Sequence, residues 1–370
     1  MSAGLYIHIP FCARKCDYCD FYSFAPAKGQ MDVYCAALQR SVLDWSGDVT
    51  APFDTVYFGG GTPSFFGGAR ITSVLDTVRR ALPLTDDAQI TVECNPSSVD
   101  EALAAALAAA GVNRVSLGLQ SAVAAERAAL GRASTPQQAA NALRLLRQSG
   151  ITNLSLDLML GLPGQTPASL GESLRFLEQS GVPHVSAYLR KVEEGTPLFE
   201  KKDTLALPDE DRVCDFYLQT ADALAHMGLR QYEISNFAVS GFESRHNLHY
   251  WRDEPYLGLG PAAHSFFGGK RFFYPRDFDA FLRGDAPVDD GDGGDESEFC
   301  MLRLRLTQGL SDEAFFTRFG KHLPQATFDA AKALASHGLL TVQNDTITLT
   351  KQGFLLSNRV IGTLVDTLTP

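Results

Sequence analysis

The sequence predicts an α/β protein built as a partial (β/α)6 barrel, and two observations carry that expectation. Short apolar runs alternate with amphipathic segments at a period of roughly 30 residues, which is how parallel strands joined by right-handed helical crossovers read. The chemically unusual residues, Cys12 to Cys19, Gly59-Gly60-Gly61-Thr62-Pro63, Glu93, Gln120 and Asp157, fall at or just after the carboxyl ends of the apolar runs. Parallel strands bring those ends to one face, which favours a barrel-like arrangement over an open sheet.

The first strand is Leu5 to Ile9, where Tyr6 and His8 alternate with Leu5, Ile7 and Ile9 and Pro10 ends the run. Met31 to Trp45 follows as an amphipathic helix and Thr55 to Phe58 as a buried strand. Gln89 to Cys94 is the next strand, then an alanine-rich helix from Asp100 to Ala110 stopped by Gly111, then a strand from Arg114 to Leu119. Asn153 to Leu160 pairs with the helix after Pro167, and His184 to Leu189 with a helix from Asp209 to Met227. These elements make residues 1–228 the barrel.

Residues 229–288, rich in aromatics and glycine, are expected to form a β extension. The Asp- and Gly-rich segment 289–297 reads as a solvated linker. Residues 298–370 carry helices, one opening at Ser311-Asp312 and one across Gln325 to His337. A hairpin turning at Asn344-Asp345 and a last helix from Lys351 complete a small winged-helix-like α+β domain. That domain has little basic clustering, so a packing or partner role is expected and not DNA binding.

A chain of 370 residues with a net charge of −11 can bury a sizeable core and is poorly suited to nucleic acid or anionic membrane. No basic leader precedes the first strand and no apolar run is long enough to span a bilayer, so a cytoplasmic location is expected, with any membrane association made through partners. Of seven cysteines, Cys35, Cys94, Cys214 and Cys300 are scattered among apolar neighbours and read as small core residues. The other three, Cys12, Cys16 and Cys19, form C-x-x-x-C-x-x-C in one loop. Three thiolates are one short of a complete iron–sulfur ligand set, which leaves one iron open to chelate the amine and carboxylate of S-adenosylmethionine. A structural zinc completed by His8 is the alternative.

Tyr6-Ile7-His8-Ile9-Pro10-Phe11-Cys12 and the loop after it resemble the oxygen-independent coproporphyrinogen III oxidase-like branch of the radical SAM superfamily. His246-Asn247-Leu248-His249-Tyr250-Trp251 matches the H-N-x-x-Y-W motif of the HemW haem chaperones in that branch, and Gln231 to Ala238 and Tyr256 to Ser265 fit it too. The resemblance covers nearly the whole chain. It implies a 4Fe-4S cluster on Cys12, Cys16 and Cys19, with S-adenosylmethionine contacted by Tyr6, Tyr18, Gly60, Gly61, Thr62, Glu93, Gln120, Arg132, Asp157 and His264. Read singly, Glu93 could serve a salt bridge and Arg132 could be an exposed helix-end charge.

In the family, a reduced cluster splits S-adenosylmethionine into methionine and a 5′-deoxyadenosyl radical, which in the true oxidases attacks porphyrinogen propionates. Those oxidases carry a fourth cysteine two residues after the third, where Phe21 stands here, and have a longer segment before the first strand. The resemblance therefore implies a chaperone that binds haem and hands it to acceptor proteins, respiratory haemoproteins among them, without oxidase activity. Coproporphyrinogen oxidation is the alternative. Members of the family can form homodimers. A histidine beside flat rings can ligate haem iron, and the resemblance makes His246 the leading ligand, His249 its rival, and Asn247, Tyr250 and Trp251 their companions.

Overall fold

The computed structural model describes residues 2–368. Strands β1 (Ala3–Ile9), β2 (Phe53–Gly60), β3 (Leu84–Cys94), β4 (Arg114–Gln120), β5 (Asn153–Leu160) and β6 (His184–Leu189) stand side by side in sequence order and all run parallel. This is the predicted partial barrel. Its strands read as nearly continuous apolar runs because helices cover one face while the other lines the barrel interior; β4 is buried at every position.

Local chemistry starts and stops the covering helices. Thr135 and Thr166 each form a capping box, with proline at the first helical position, and open helices Pro136–Gln148 and Pro167–Ser180. Gly181, at φ 57°, closes the second of these in the left-handed conformation that glycine tolerates best.

The β extension lengthens the sheet at both edges. At one edge, β7 (Arg230–Gln231) and β8 (Asn236–Ala238) add antiparallel strands beyond β6. At the other, β9 (Tyr256–Leu259) pairs parallel with β1 in the register Gly4↔Tyr256 to Ile7↔Leu259. Strands β10 (His264–Phe267), β11 (Lys270–Phe273) and β12 (Val288–Asp292) continue outward, giving a sheet of 12 strands. β9 is thus a seventh parallel strand, where sequence periodicity indicated six.

The acidic stretch 289–297 differs from the expected linker. Its first part belongs to β12, which pairs antiparallel with β11 and places Lys270 Nζ 2.5 Å from Asp292 Oδ1. All five β12 residues are exposed, so the acidic side chains are solvated as expected, and they suit an unpaired sheet edge by opposing further pairing. Asp295 then caps helix Glu296–Arg303 by accepting the Glu298 N–H.

Beyond that helix lie Asp312–Phe319, Gln325–Ala335, Lys351–Leu355 and Ser357–Val365, around a small antiparallel sheet of β13 (Leu310–Ser311), β14 (Leu340–Gln343) and β15 (Thr346–Leu349). One apolar core runs without a break from Ala3 in the barrel to Leu364. Backbone bonds from Ile234 N–H to Arg305 O and from Thr307 N–H to Tyr232 O, each 3.1 Å, tie the C-terminal region to the β extension between β7 and β8. Among the described residues no helix is long and apolar enough to cross a membrane.

Candidate cofactor site

The cysteine loop leaves β1 and is pinned from several sides. Cys12 N–H donates to Phe24 O (3.0 Å), Asp17 N–H to Leu130 O (3.0 Å) and Leu198 N–H to Asp17 O (2.8 Å), while the Asp17 carboxylate meets Lys201 at 2.9 Å. Cys12 Sγ lies 3.3 Å from Thr62 Oγ1, and Cys16 Sγ lies 3.9 Å from Arg132 Nη1. Burial raises the Cys19 thiol, and its neighbours Cys12 and Cys16 add to the rise. His8 is committed elsewhere: Nδ1 bonds Tyr6 OH (3.1 Å) and Nε2 bonds Tyr22 O (2.9 Å), which removes it as a zinc ligand. Among the described residues no three His, Cys, Asp or Glu side chains converge on one ion. A cluster needs no such convergence, because each thiolate binds a separate iron.

Beside the loop, the triglycine run at the end of β2 is stitched to the end of β1. Gly61 N–H donates to Ile9 O and Thr62 N–H to Phe11 O, each at 2.8 Å. A β-carbon on Gly61 would stand 2.8 Å from Phe11 O and 2.9 Å from Ile9 O, and one on Gly60 (φ 108°) would stand 2.5 Å from the His8 ring. Only glycine permits that approach.

Polar side chains line the interior next to it. Glu93 accepts the Tyr57 hydroxyl at 2.7 Å, and burial pushes its carboxyl up to about 7. Asp157 accepts the Ser116 hydroxyl at 2.9 Å, and burial raises it too. Two half-buried carboxyls without a full cation partner suit a guest that brings an amine and ribose hydroxyls.

Gln120 sits at φ 68°, where a register shift between Gly118 and Gln120 disturbs the β4–β5 ladder. A non-glycine residue there is strained, as side chains aimed into sites often are. Arg132 is not a solvated helix-end charge. Its Nη2 donates to Gly118 O (2.5 Å) and its Nε to Ser134 Oγ (3.1 Å) while Nη1 faces Cys16. Tyr18 packs against a small cluster of Leu130, Met159 and Leu162.

The haem motif is arranged differently from the expectation. His246 is 1% exposed; Nδ1 lies 2.8 Å from Thr55 Oγ1 and Nε2 2.8 Å from Tyr250 OH. Its ring stacks on Tyr57 (5.0 Å) and Tyr6 (6.2 Å), so it plugs the barrel interior and presents no free nitrogen to iron. His249 is also buried, with Nε2 2.7 Å from Asp54 and Nδ1 3.2 Å from Glu254. Asn247 is partly exposed, and Trp251 lies under the Arg305 guanidinium at 5.6 Å. His264 stands on β10, exposed and stacked on Phe273 at 5.2 Å, on the same cleft as Tyr6.

Sequence reasoning missed Thr55 and Tyr57, although alternation along β2 sets both opposite Val56 and Phe58. It also missed a cleft of about 550 Å3 beside Tyr6, lined in part by Tyr22, Phe273, Tyr274 and Arg276. No local pattern announces that cleft.

Residues 6–177 match the Radical SAM superfamily model and residues 297–356 match the HemN C-terminal domain. "Heme chaperone HemW" of Mycobacterium tuberculosis is 37% identical over 98% of this chain and 94% of its own length. The same-named proteins of Escherichia coli and Bacillus subtilis are 36% and 33% identical, over 97% and 98% of this chain and 97% and 99% of their own lengths. The chain belongs to the HemW family. Within that family frame, the solved coproporphyrinogen III oxidase HemN of Escherichia coli superimposes with a TM-score of 0.84 at 21% identity, covering 98% of this chain and 90% of that one. That likeness shows a shared fold.

Proposed function

We propose that this protein is a haem chaperone: it binds haem and delivers it to acceptor haemoproteins from a radical SAM scaffold. The observation that carries the reading is identity along nearly the full length to proteins named as haem chaperones. Phe21 supports it, because the position where the resembled oxidases hold a fourth cysteine is here an apolar ring, 65% exposed.

Cys12, Cys16 and Cys19 would hold the 4Fe-4S cluster, and Tyr6, Tyr18, Gly60, Gly61, Thr62, Glu93, Gln120, Arg132 and Asp157 would hold S-adenosylmethionine. When bound, the cluster supplies electrons at the open iron. The chain's own part is to hold the cysteine loop against Gly61 and Thr62, keep Arg132 beside Cys16, and offer Glu93 and Asp157 to an amine and to hydroxyls. On this reading a cytoplasmic protein is expected, with respiratory haemoproteins as acceptors and a homodimer as an allowed state.

Anaerobic titration of the cluster-reconstituted protein with haemin, followed by mixing with an apo-haemoprotein, tests this reading. Saturation of the Soret band near a single haem per chain and transfer to the acceptor are expected. Failure to bind haem, or conversion of coproporphyrinogen III with release of methionine, refutes it.

A further inference from the structure

His246 has both ring nitrogens engaged and His249 is buried beside Asp54 and Glu254, which directs attention to an exposed histidine elsewhere as a haem ligand. The cleft beside Tyr6 supplies the surroundings. Its walls include the rings of Tyr22, Tyr250, Tyr256, Phe273 and Tyr274, and the exposed Phe21 stands at its lip. Its volume of about 550 Å3 falls in the roughly 300–1,000 Å3 range of ligand pockets. Flat aromatic walls of this kind favour a large planar ligand.

Two polar side chains on the cleft give it chemical direction. His264 is exposed, carries no hydrogen bond on either ring nitrogen among the described residues, and is held by stacking on Phe273 with 25° between the rings. The other histidine on the cleft, His8, has both nitrogens engaged. Although its surface is exposed, partial desolvation by the cleft walls shifts the His264 imidazole downward, in the direction of the neutral form that ligates metals. Arg276 anchors Nη2 on Asp20, at 3.2 Å from the carboxylate and 3.3 Å from the carbonyl. Its remaining N–H donors suit a carboxylate.

Resting on the chaperone reading above, we propose that this cleft is the haem dock, with His264 as the protein ligand to iron and Arg276 as partner to a haem propionate. His264 is thereby assigned to the cargo and not to S-adenosylmethionine. Tyr6 and Tyr250 lie on the cleft, so the H-N-x-x-Y-W segment borders the cargo through Tyr250 while His246 holds that tyrosine in place.

The test is an anaerobic haemin titration of the full cluster-reconstituted chain, comparing wild type with His264→Ala, His264→Met and Arg276→Gln. His264→Ala is expected to weaken haemin binding about tenfold or more and to remove the histidine-ligated absorption and paramagnetic resonance spectrum. His264→Met is expected to keep binding with a changed axial-ligand spectrum, which a misfolded chain would not show. Arg276→Gln is expected to weaken haemin while leaving the affinity for haemin dimethyl ester unchanged. Haem uptake by His264→Ala with wild-type affinity and spectrum overturns the assignment and leaves the chaperone reading standing. Absence of uptake by the wild-type protein overturns both.

Discussion

Substituting Gly61 by alanine tests the reasoning that the triglycine run positions the cysteine loop. The added β-carbon would stand 2.8 Å from Phe11 O, 2.9 Å from Ile9 O and 3.0 Å from Phe11 N, all backbone atoms that cannot swing aside. Overpacking of this kind costs about 1–3 kcal/mol. Relief comes from parting the loop from β2, which strains the Gly61-to-Ile9 and Thr62-to-Phe11 hydrogen bonds at about 1 kcal/mol each. The sum, about 3–5 kcal/mol, is smaller than the stability of many domains, about 5–15 kcal/mol. Gly61→Ala should therefore fold with a lower melting temperature and a displaced Cys12. Iron and sulfide content after anaerobic reconstitution, beside thermal unfolding of the cluster-free chain, provides the assay. Gly171→Ala is the control, since its β-carbon meets only Arg175 Nη1, at 3.6 Å, and alanine favours its helix. A Gly61→Ala protein that loads a full cluster at the wild-type melting temperature would refute the reasoning.

Two further outcomes follow from charges near the site. Burial raises the Glu93 carboxyl from an ordinary 4.5 to about 7, so the native state binds its proton more tightly than the unfolded chain; that contribution to stability is present below pH 4.5 and is lost as pH rises through 7. Thermal unfolding of the cofactor-free chain should then show Glu93→Gln gaining on the wild type above pH 7, by at most about 3 kcal/mol, with little gain at pH 4. A gain independent of pH would contradict this. Asp54 runs the other way: burial alone would raise it, but hydrogen bonds from His249 and Arg245 hold it at about 2, so its contribution is present above pH 3.8 and lost as pH falls towards 2. For His249, burial alone lowers the pKa, but Asp54 and Glu254 raise it overall; its share is complete below pH 6.5 and fades as pH rises through the raised value. Asp54→Asn leaves a buried imidazolium without its closest anion and should cost about 3 kcal/mol near pH 6, read from denaturant unfolding; a cost under about 1 kcal/mol would sink the pairing argument.

Much of the fold was legible because parallel strands covered on one face and lining an interior on the other are written as apolar runs, and the helices between them carry their own caps. Asn153–Leu160 and His184–Leu189 match their expected bounds at both ends. β9 was not legible, since Tyr256–Leu259 is four residues long and becomes a parallel strand only by meeting β1, some 250 residues earlier. β12 was hidden for a related reason: Asp-Asp-Gly-Asp carries no strand propensity, and pairing with β11 decides its conformation. The cysteine loop and the carboxyl-end residues were legible from spacing and position. His246 was legible as a residue worth attention, but the direction of its side chain is set by Thr55 and Tyr250 from two distant elements, and no local pattern records that.

The place of β1 between β2 and β9 has a consequence for how the protein is made. The strand that leads into the cysteine loop is made some 250 residues before β9, so one of its two hydrogen-bonding edges stays open until Leu259 has left the ribosome. Until then the thiols hang from a half-paired strand with an adhesive edge, the kind of surface that pairs with the wrong partner. Metal loading before β9 emerges would act on an unfinished cradle, so the pairing of β1 with β9 is the step that completes the support of the cysteine loop.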